Sequence, residues 1–331
     1  MLSKPMTFTT HASFSTLASR YDAFILDQFG VMHNGQCSLP GAAECVRHLA
    51  RQRRLPLIIL SNTSSPSAAT LKRLPELGFD AADFVGAVTS GEEAARLIKE
   101  TYGAGAEPKR FVWFTWAPGN DNVPDPLRFL ENCGNVVPTL DPSEADFVVA
   151  HGSGCIRALG VGENGEPLTK SMASFLDDGD MTEVNAVLKE CKSRDLPLIC
   201  ANPDLVVVSP EGGFRHMPGK IATSYEGERH GGAVRWFGKP HAAHFEACLR
   251  ELGLDRTRVA HVGDSLHHDV AGANAVGIDS IFVAGGIHGK ELLGDGEDGD
   301  AEVTLPSEAE LEAFFQREGL APTHVIPMFR L

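Results

Sequence analysis

The sequence is short of basic residues. It holds 29 lysines and arginines against 44 aspartates and glutamates, which gives a formal net charge of -15. Nucleic acids and anionic membrane surfaces bind proteins through basic patches. The charge balance therefore argues against both as the main partner. A small anionic substrate stays compatible with it, provided that positive charge is placed locally.

Long apolar runs are also missing. The longest, such as "LPLIIL" at residues 55–60, fall far short of the roughly 20 apolar residues that a transmembrane helix needs. The first twenty residues contain Lys4, Arg20, many hydroxyl groups and no acid, which faintly resembles a transit peptide. A short disordered arm explains them better. We expect a protein of the cytoplasm, with an organelle matrix as the alternative.

The cysteines show no pairing pattern. They number seven, are scattered, and include no Cys-x-x-Cys; they are Cys37, Cys45, Cys133, Cys155, Cys191, Cys200 and Cys248. Several fall on the apolar side of a predicted helix or strand. We interpret them as reduced core residues in a reducing compartment rather than as a disulfide framework.

Short apolar runs alternate with amphipathic helical patterns in the first and last thirds of the chain. The strand predicted at 23–28, for example, precedes a helix predicted at 40–54, in which apolar residues recur at helical spacing. Strands of this kind, without polar alternation, are typical of sheets buried on both faces. The pattern predicts an α/β fold with a Rossmann-like, doubly wound parallel sheet.

The composition changes near residue 104. Pro, Gly and Asn become frequent in "WAPGNDNVPDP", and a new series of strands and helices follows, including one strand predicted over 197–208. The first pattern resumes near residue 233. We therefore expect an N-terminal arm at 1–20, a discontinuous core domain at 21–103 and 233–331, and an inserted α/β domain at 104–232. The final helix should open with a capping box from Ser307 to Glu310.

Polar residues stand directly after several predicted strands. Ligands of open parallel sheets bind beyond the carboxyl ends of the strands, so these residues are the candidates for a site. They are Asp27, Ser61 with Asn62, Lys239 in "FGKPH", and Asp264 in "VGDSLHHD". Carboxylates suit a hard cation, while hydroxyl, amide and ammonium groups suit phosphate oxygens. Together they could hold a magnesium ion and a phosphoryl group.

The ordered set Asp27, Ser61, Lys239 and "GDSLHHD" resembles the four motifs of the haloacid dehalogenase superfamily. The large insert carrying "ANPDLVVV" before "FGKPH" is similar to subfamily IIA. That branch includes p-nitrophenyl phosphatase-like, nucleotide, phosphoglycolate and pyridoxal-phosphate phosphatases. The resemblance extends from about residue 20 to 290. It implies a core of that superfamily with an inserted cap domain, a small phosphorylated metabolite as substrate, and pairing of two copies through the cap.

The resemblance also implies roles for individual residues. Asp27 is the expected nucleophile, because magnesium and Lys239 reduce the repulsion between its carboxylate and the phosphate; an aspartyl-phosphate is then hydrolysed by water. Mg²⁺ is expected on Asp27, the backbone carbonyl of Phe29 and Asp264, with support from Asp269. Ser61 and Asn62 are expected to hold the phosphoryl group. Asn202 and Asp204 in "ANPD" resemble the cap signature near the substrate, although an Asx-Pro turn explains them nearly as well.

Phe29 departs from the pattern. Phosphatases of this superfamily place a second aspartate there, which protonates the leaving group and later activates water. Phenylalanine can do neither, and such help is worth about a hundred- to ten-thousand-fold in rate. Slow hydrolysis is therefore expected, best for acidic leaving groups. His33, four residues further on, is a weaker candidate for the proton donor.

Other interpretations stay open. Haloacid dehalogenases carry an aromatic residue two places after their nucleophilic aspartate, but they need neither a metal nor the acids of "GDSLHHD". A non-catalytic protein that binds a phosphorylated ligand would also fit the loss of the acid–base residue. Asp27, Ser61 and Asn62 could serve as turn or helix caps. The acid-rich segment 294–302 is interpreted as a solvated surface loop.

Overall fold

The computed structural model describes residues 7–119, 125–162, 164–208, 213–294 and 304–331. The acid-rich segment 294–302 lies outside them, apart from its first residue. In chain order, the strands are β1 (Thr9–Thr10), β2 (Ala23–Leu26), β3 (Leu57–Ser61), β4 (Gly86–Thr89), β5 (Lys109–Thr115), β6 (Val136–Thr139), β7 (Phe147–Ala150), β8 (Cys155–Val161), β9 (Pro167–Ser171), β10 (Leu198–Cys200), β11 (Val206–Val208), β12 (Phe214–His216), β13 (Val234–Trp236), β14 (Val259–Gly263), β15 (Asp279–Val283) and β16 (His324–Ile326).

The α-helices are α1 (Ala42–Arg47), α2 (Ser67–Arg73), α3 (Ser90–Thr101), α4 (Leu127–Glu131), α5 (Ala173–Asp178), α6 (Thr182–Ser193), α7 (Pro218–Glu226), α8 (Ala242–Leu252), α9 (Ala271–Val276), α10 (Gly289–Leu293) and α11 (Glu308–Glu318). Shorter 3₁₀ or π turns cover Phe14–Thr16, His48–Gln52, Leu74–Leu77, Ala81–Asp83, Pro142–Glu144, Arg256–Arg258 and Leu266–Val270. The capping box of Ser307 and Glu310 is present at the start of α11. Over the described parts of the chain, none of the helices combines the length and the apolar character that crossing a membrane requires.

The chain divides into two compact units. The first comprises residues 1–61, 70–88 and 239–331, and the second comprises residues 62–69 and 89–238. Helix α3, which the sequence pattern assigned to the core domain, lies in the second unit, where Ala94 and Ile98 pack with Phe111 and Trp113. An amphipathic pattern predicts a helix with a buried face but does not say which sheet that face covers.

The first unit is built on a seven-stranded sheet with the order β1-β16-β15-β14-β2-β3-β4. Strand β2 lies inside this sheet, parallel to β14 on one side and to β3 on the other. Successive residues of β2 enter different cores, since Phe24 and Leu26 pack in one apolar cluster and Ala23 and Ile25 in another. Both faces of the sheet are therefore covered, which explains the uninterrupted apolar strands. The predicted α/β fold is confirmed.

The N-terminal segment differs from the expected disordered arm. Within residues 7–20, Thr9 and Thr10 pair in parallel with His324 and Val325 of β16. Phe14 and Leu17 are fully buried in the core of the first unit. These two apolar side chains fix the segment to the domain. Because polar residues surround them in the sequence, no apolar pattern there predicted a buried segment.

The second unit has a sheet with the order β13-β10-β7-β5-β8-β9, to which β6 adds beside β5. The strand predicted over 197–208 is wrong as a single element. It splits into β10 and β11, because Asn202 and Pro203 turn the chain between them and β11 pairs with β12 in a separate two-stranded sheet. All seven cysteines are free, and all except Cys37 are buried, as their scattered positions predicted.

Candidate active site

Asp27 lies at the carboxyl end of a buried strand. Its backbone N–H continues the sheet ladder by donating to the carbonyl of Val262, at 2.9 Å. The residue is only 9% exposed. Burial, opposed by Lys239, raises the pKa of Asp27 to about 7. A carboxyl group in this position is therefore held out of water and depends on its neighbours for its charge.

Lys239 supplies the positive charge next to Asp27. Its Nζ lies 2.7 Å from Oδ1 of Asp27 and 2.7 Å from Oδ1 of Asp269, and its side chain is 3% exposed. Burial alone would lower the pKa of the ammonium, but the two carboxylates outweigh it and hold the pKa above its usual range. Lys239 is therefore a fixed, buried cation that joins two acids.

Asp269 is the most constrained of the acids. Besides the bond from Lys239, its Oδ1 contacts Nε2 of His261 at 2.7 Å, and its Oδ2 accepts from the backbone N–H of Ser265 at 3.0 Å. Although burial acts in the opposite direction, Lys239 and His261 hold the pKa of Asp269 below its usual range. This carboxylate stays ionised and fixes the position of the lysine.

Asp264 faces the same centre from the end of β14. Its Oδ2 accepts from the backbone N–H of Ile287 at 2.7 Å. Burial, together with Asp27 and Asp269, raises the pKa of Asp264 well above its usual value. The backbone at Gly30 approaches it so closely that a Cβ there would lie 2.0 Å from Oδ2, and its φ is +79°. Glycine is therefore needed at position 30 on both grounds.

These acids form a cluster that suits a divalent cation. One oxygen from each of Asp27, Asp264 and Asp269 lies within 4.8 Å of the others. Three buried carboxyl groups face one buried ammonium, and burial, together with the neighbouring acids, raises the pKa of two of them. Oxygen donors in this arrangement are those that Mg²⁺ prefers. The residues present therefore fit the metal that the sequence motifs imply.

The other predicted site residues fall into both units. Ser61 ends β3, the strand beside β2, and is 8% exposed. Asn62 is counted with the second unit, where its Nδ2 donates to Oδ1 of Asp204 at 2.7 Å. The Oδ1 of Asn202 accepts from the backbone N–H of Asp204 at 3.0 Å, which is the Asx turn considered as an alternative. The three residues of the second unit thus form one connected group.

Phe29 occupies the loop that follows Asp27. This loop is closed by hydrogen bonds from the backbone N–H groups of Val31, Met32 and His33 to the carbonyl of Gln28. The ring of Phe29 stands edge-on to that of His33, with centroids 6.2 Å apart. Position 29 thus provides an aromatic ring and no carboxyl group. Its backbone adjoins Gly30, which lies against the carboxyl group of Asp264.

Two features of this site were missed from the sequence. His261 is a fully buried histidine inside the apolar strand β14, and Ile287 contributes a backbone donor. The signal for His261 was its polarity within an otherwise apolar run, since buried polar groups require partners. A backbone donor such as that of Ile287 leaves no signal in the side-chain sequence.

The fold and the site define a Rossmann-like α/β protein with a buried acidic centre at the carboxyl edge of its parallel sheet. Residues 24–122 match the family described as haloacid dehalogenase-like hydrolase, and residues 236–307 match a second one described as HAD-hydrolase-like. Both matches point to the haloacid dehalogenase superfamily, and the relatives described below support a place in subfamily IIA. The resemblance of the motifs is thus confirmed.

Curated relatives extend over most of the chain. An acid sugar phosphatase of Staphylococcus saprophyticus is 29% identical over 275 residues, covering 82% of this chain and 90% of the relative. One from Staphylococcus epidermidis is 28% identical over 269 residues, covering 81% and 88%.

Solved structures share the fold. A haloacid dehalogenase-like hydrolase from Brucella suis has a TM-score of 0.68 at 23% identity and covers 96% of this chain and 98% of its own. A 4-nitrophenylphosphatase from Thermotoga maritima has a TM-score of 0.61 at 23% identity, with coverage of 95% and 96%. A glycerol phosphate phosphatase from Mycobacterium tuberculosis, solved in complex with magnesium, has a TM-score of 0.55 at 20% identity, with coverage of 82% and 70%.

Proposed function

We propose that this protein hydrolyses phosphate monoesters of small metabolites, with Asp27 as the nucleophile. The observation that carries the proposal is the contact of Asp27 with the buried ammonium of Lys239, at 2.7 Å, inside a cluster of two further acids. A carboxylate approaches a phosphate dianion only where positive charge offsets their repulsion. Lys239 supplies part of that charge.

The reaction has two steps. In the first, Oδ of Asp27 attacks phosphorus, a bond forms between them, and the bond to the leaving oxygen breaks with its electron pair on that oxygen. The leaving group takes its proton from water, since Phe29 has none to give. In the second, water hydrolyses the aspartyl-phosphate, which releases inorganic phosphate and restores Asp27.

Mg²⁺ would be held by Asp27, the backbone carbonyl of Phe29 and Asp264, with Asp269 in support, and would supply the remaining positive charge beside the phosphoryl group. Ser61 and Asn62 would donate hydrogen bonds to the phosphoryl oxygens. Asn202 and Asp204 would contact the rest of the substrate from the cap domain. Asp269 keeps Lys239 in place through their 2.7 Å contact.

The relatives support a substrate class for this proposal. Those named above are an acid sugar phosphatase, a 4-nitrophenylphosphatase and a glycerol phosphate phosphatase. A phosphorylated sugar or polyol is therefore the natural substrate that we propose, with p-nitrophenyl phosphate as an artificial one.

Hydrolysis of p-nitrophenyl phosphate, with and without Mg²⁺, tests the proposal in wild type, Asp27→Asn and Phe29→Asp. We expect metal-dependent turnover that is lost in Asp27→Asn and rises in Phe29→Asp, by up to about a hundred-fold, because the acid–base group is restored. Metal-independent release of halide from a haloacid would instead identify a dehalogenase.

Phe29 itself favours a second candidate, a protein that binds a phosphorylated ligand without turnover. It predicts Mg²⁺-dependent binding of a sugar phosphate, measured by calorimetry, while wild type hydrolyses none of the esters. Turnover that disappears in Asp27→Asn would exclude this candidate.

A further inference from the structure

His33 carries an unused hydrogen-bond donor beside the catalytic loop. The residue is 6% exposed, and its Nε2 has no hydrogen-bond partner among the residues that the structure describes. Leaving a buried polar group unpaired lowers the stability of the folded protein. Such a group either destabilises the fold to no purpose or forms its hydrogen bond with a ligand when that ligand binds.

The backbone fixes which nitrogen of His33 carries the proton. Nδ1 accepts from the backbone N–H of Gly35 at 3.1 Å, so this nitrogen is unprotonated. The proton of the neutral ring then lies on Nε2. Burial, with a contribution from the positive charge of Arg73, lowers the pKa of His33 to about 4, which keeps the ring neutral. His33 is thus set up as a donor at Nε2.

Gly35 is itself held firmly. Its carbonyl accepts from Nη2 of Arg73 at 2.8 Å, and its φ of +93° lies in the left-handed region. A Cβ at this position would lie 3.1 Å from Cε2 of Phe29. The peptide that orients His33 is therefore fixed from two sides, by the guanidinium and by the ring of Phe29.

The position of His33 connects it with the reaction. Its backbone N–H closes the loop onto Gln28, the residue after Asp27, and its ring stands edge-on to Phe29. Position 29 is where the motif that the sequence resembles places its leaving-group donor, and phenylalanine provides none. We propose that Nε2–H of His33 donates a hydrogen bond to the leaving-group oxygen of the bound phosphate ester. The inference rests on the proposed function and assigns a catalytic donor to it.

The donor stabilises charge without transferring a proton. A neutral imidazole gives up its Nε2 proton far too reluctantly to act as a general acid, so the leaving group still takes its proton from water. The hydrogen bond strengthens as negative charge develops on the leaving oxygen. The gain is therefore greatest for poor leaving groups, on which the charge is least delocalised.

A leaving-group series tests this. We would measure kcat/KM for p-nitrophenyl phosphate, phenyl phosphate and glycerol phosphate, with Mg²⁺, in wild type, His33→Phe and His33→Gln. In His33→Phe we expect losses of about 10- to 100-fold for phenyl and glycerol phosphate, but below about three-fold for p-nitrophenyl phosphate. His33→Gln keeps an N–H near the Nε2 position and should recover most of the loss.

Equal losses for all three esters in His33→Phe would overturn the inference, because a merely structural role affects every substrate alike. Absence of hydrolysis in wild type would instead count against the proposed function. A second measurement separates the two. In histidine-labelled Asp27→Asn protein with Mg²⁺, the ¹⁵N resonance of His33 should show protonation at Nε2 and should shift when phenyl phosphate is added. An unprotonated Nε2, or a resonance that does not move, would overturn the inference.

Discussion

His261 and Asp269 are joined by a hydrogen bond of 2.7 Å between Nε2 and Oδ1, and both side chains are buried. The other ring nitrogen of His261 contacts the carbonyl of Ile25 at 3.1 Å. His261 thus connects the strand that precedes Asp27 with the acid that holds Lys239. We expect this histidine to position the lysine.

Replacing His261 by Phe should therefore lower kcat by about 10- to 100-fold, with a smaller change in KM, since partners of this kind orient catalytic groups. His261→Gln, which keeps a donor toward Asp269, should retain most of the activity. Steady-state kinetics on p-nitrophenyl phosphate would check this. A His261→Phe protein with normal kcat and reduced stability alone would contradict the positioning role.

Lys239 should also matter for stability. Its ammonium is the buried partner of Asp27 and Asp269, and Lys239→Met leaves those carboxyl groups without it. Breaking a buried pair by removing one partner costs about 3–5 kcal/mol in the free energy of unfolding. Urea denaturation at neutral pH without added metal would measure the loss. Lys72→Met, at an exposed position of α2, is the matched control and should change stability by less than about 0.5 kcal/mol.

The placement of Asp27 and Asp264 at one edge of the sheet could be anticipated, because parallel strands present their carboxyl ends on the same side. Lys239 was expected there for the same reason, but the strand before it, β13, belongs to the sheet of the second unit. Buried strands such as β2 and β14 were visible as apolar runs. The hairpin of β8 and β9 was not visible. Its outer part is exposed, with Val161 at 65%, so neither an apolar run nor a clear alternation marks it.

Contacts between residues that are far apart in the sequence could not be predicted from it. The hydrogen bond between Tyr21 and His324 joins residues that are 303 positions apart, and neither residue type predicts the other as its partner. The same holds for His261 with Asp269, since a histidine in an apolar strand indicates that a partner exists without naming it. Hydrophobic pattern predicts which elements are buried, whereas the pairing of polar groups depends on three-dimensional packing.

Magnesium should stabilise the protein through the acidic cluster. Since Asp264 lies in that cluster, Asp264→Asn should weaken binding of the ion. At an Mg²⁺ concentration a hundred times the dissociation constant, binding adds about 2.7 kcal/mol to stability. Thermal unfolding followed across an Mg²⁺ titration should show a rise of several degrees in the wild-type Tm and a much smaller rise in Asp264→Asn. Asp255→Asn, at an exposed turn, should respond like wild type. Equal shifts in all three proteins would place the ion elsewhere.

The N-terminal strand should detach from the sheet at acidic pH. Tyr21 donates its hydroxyl proton to Asp279 at 2.7 Å, so it accepts from Nε2 of His324 at 2.9 Å. Nδ1 of His324 is then free to accept from Nε2 of His11, at 3.2 Å. The contact with His11 needs an unprotonated Nδ1, and therefore a neutral His324, whose pKa is lowered to about 4 by burial and by His11.

The sign of the pH dependence follows from this lowered pKa. The unfolded chain binds a proton at His324 near pH 6.5, whereas the folded chain does so only near pH 4. Stability from this group is therefore complete above about pH 6.5 and is lost as the pH falls toward 4.

His324→Gln keeps a donor toward Tyr21 and cannot titrate, so its free energy of unfolding should fall less steeply between pH 7 and pH 5, by up to about 1.4 kcal/mol per pH unit. Urea denaturation of both proteins at several pH values would show the difference. In wild type, the protection factors of the Thr9 and His11 amides against hydrogen exchange should fall at low pH, because their hydrogen bonds to Thr323 and Val325 open. Parallel stability curves would mean that His324 titrates alike in the folded and unfolded chain, and that the network does not depend on its charge.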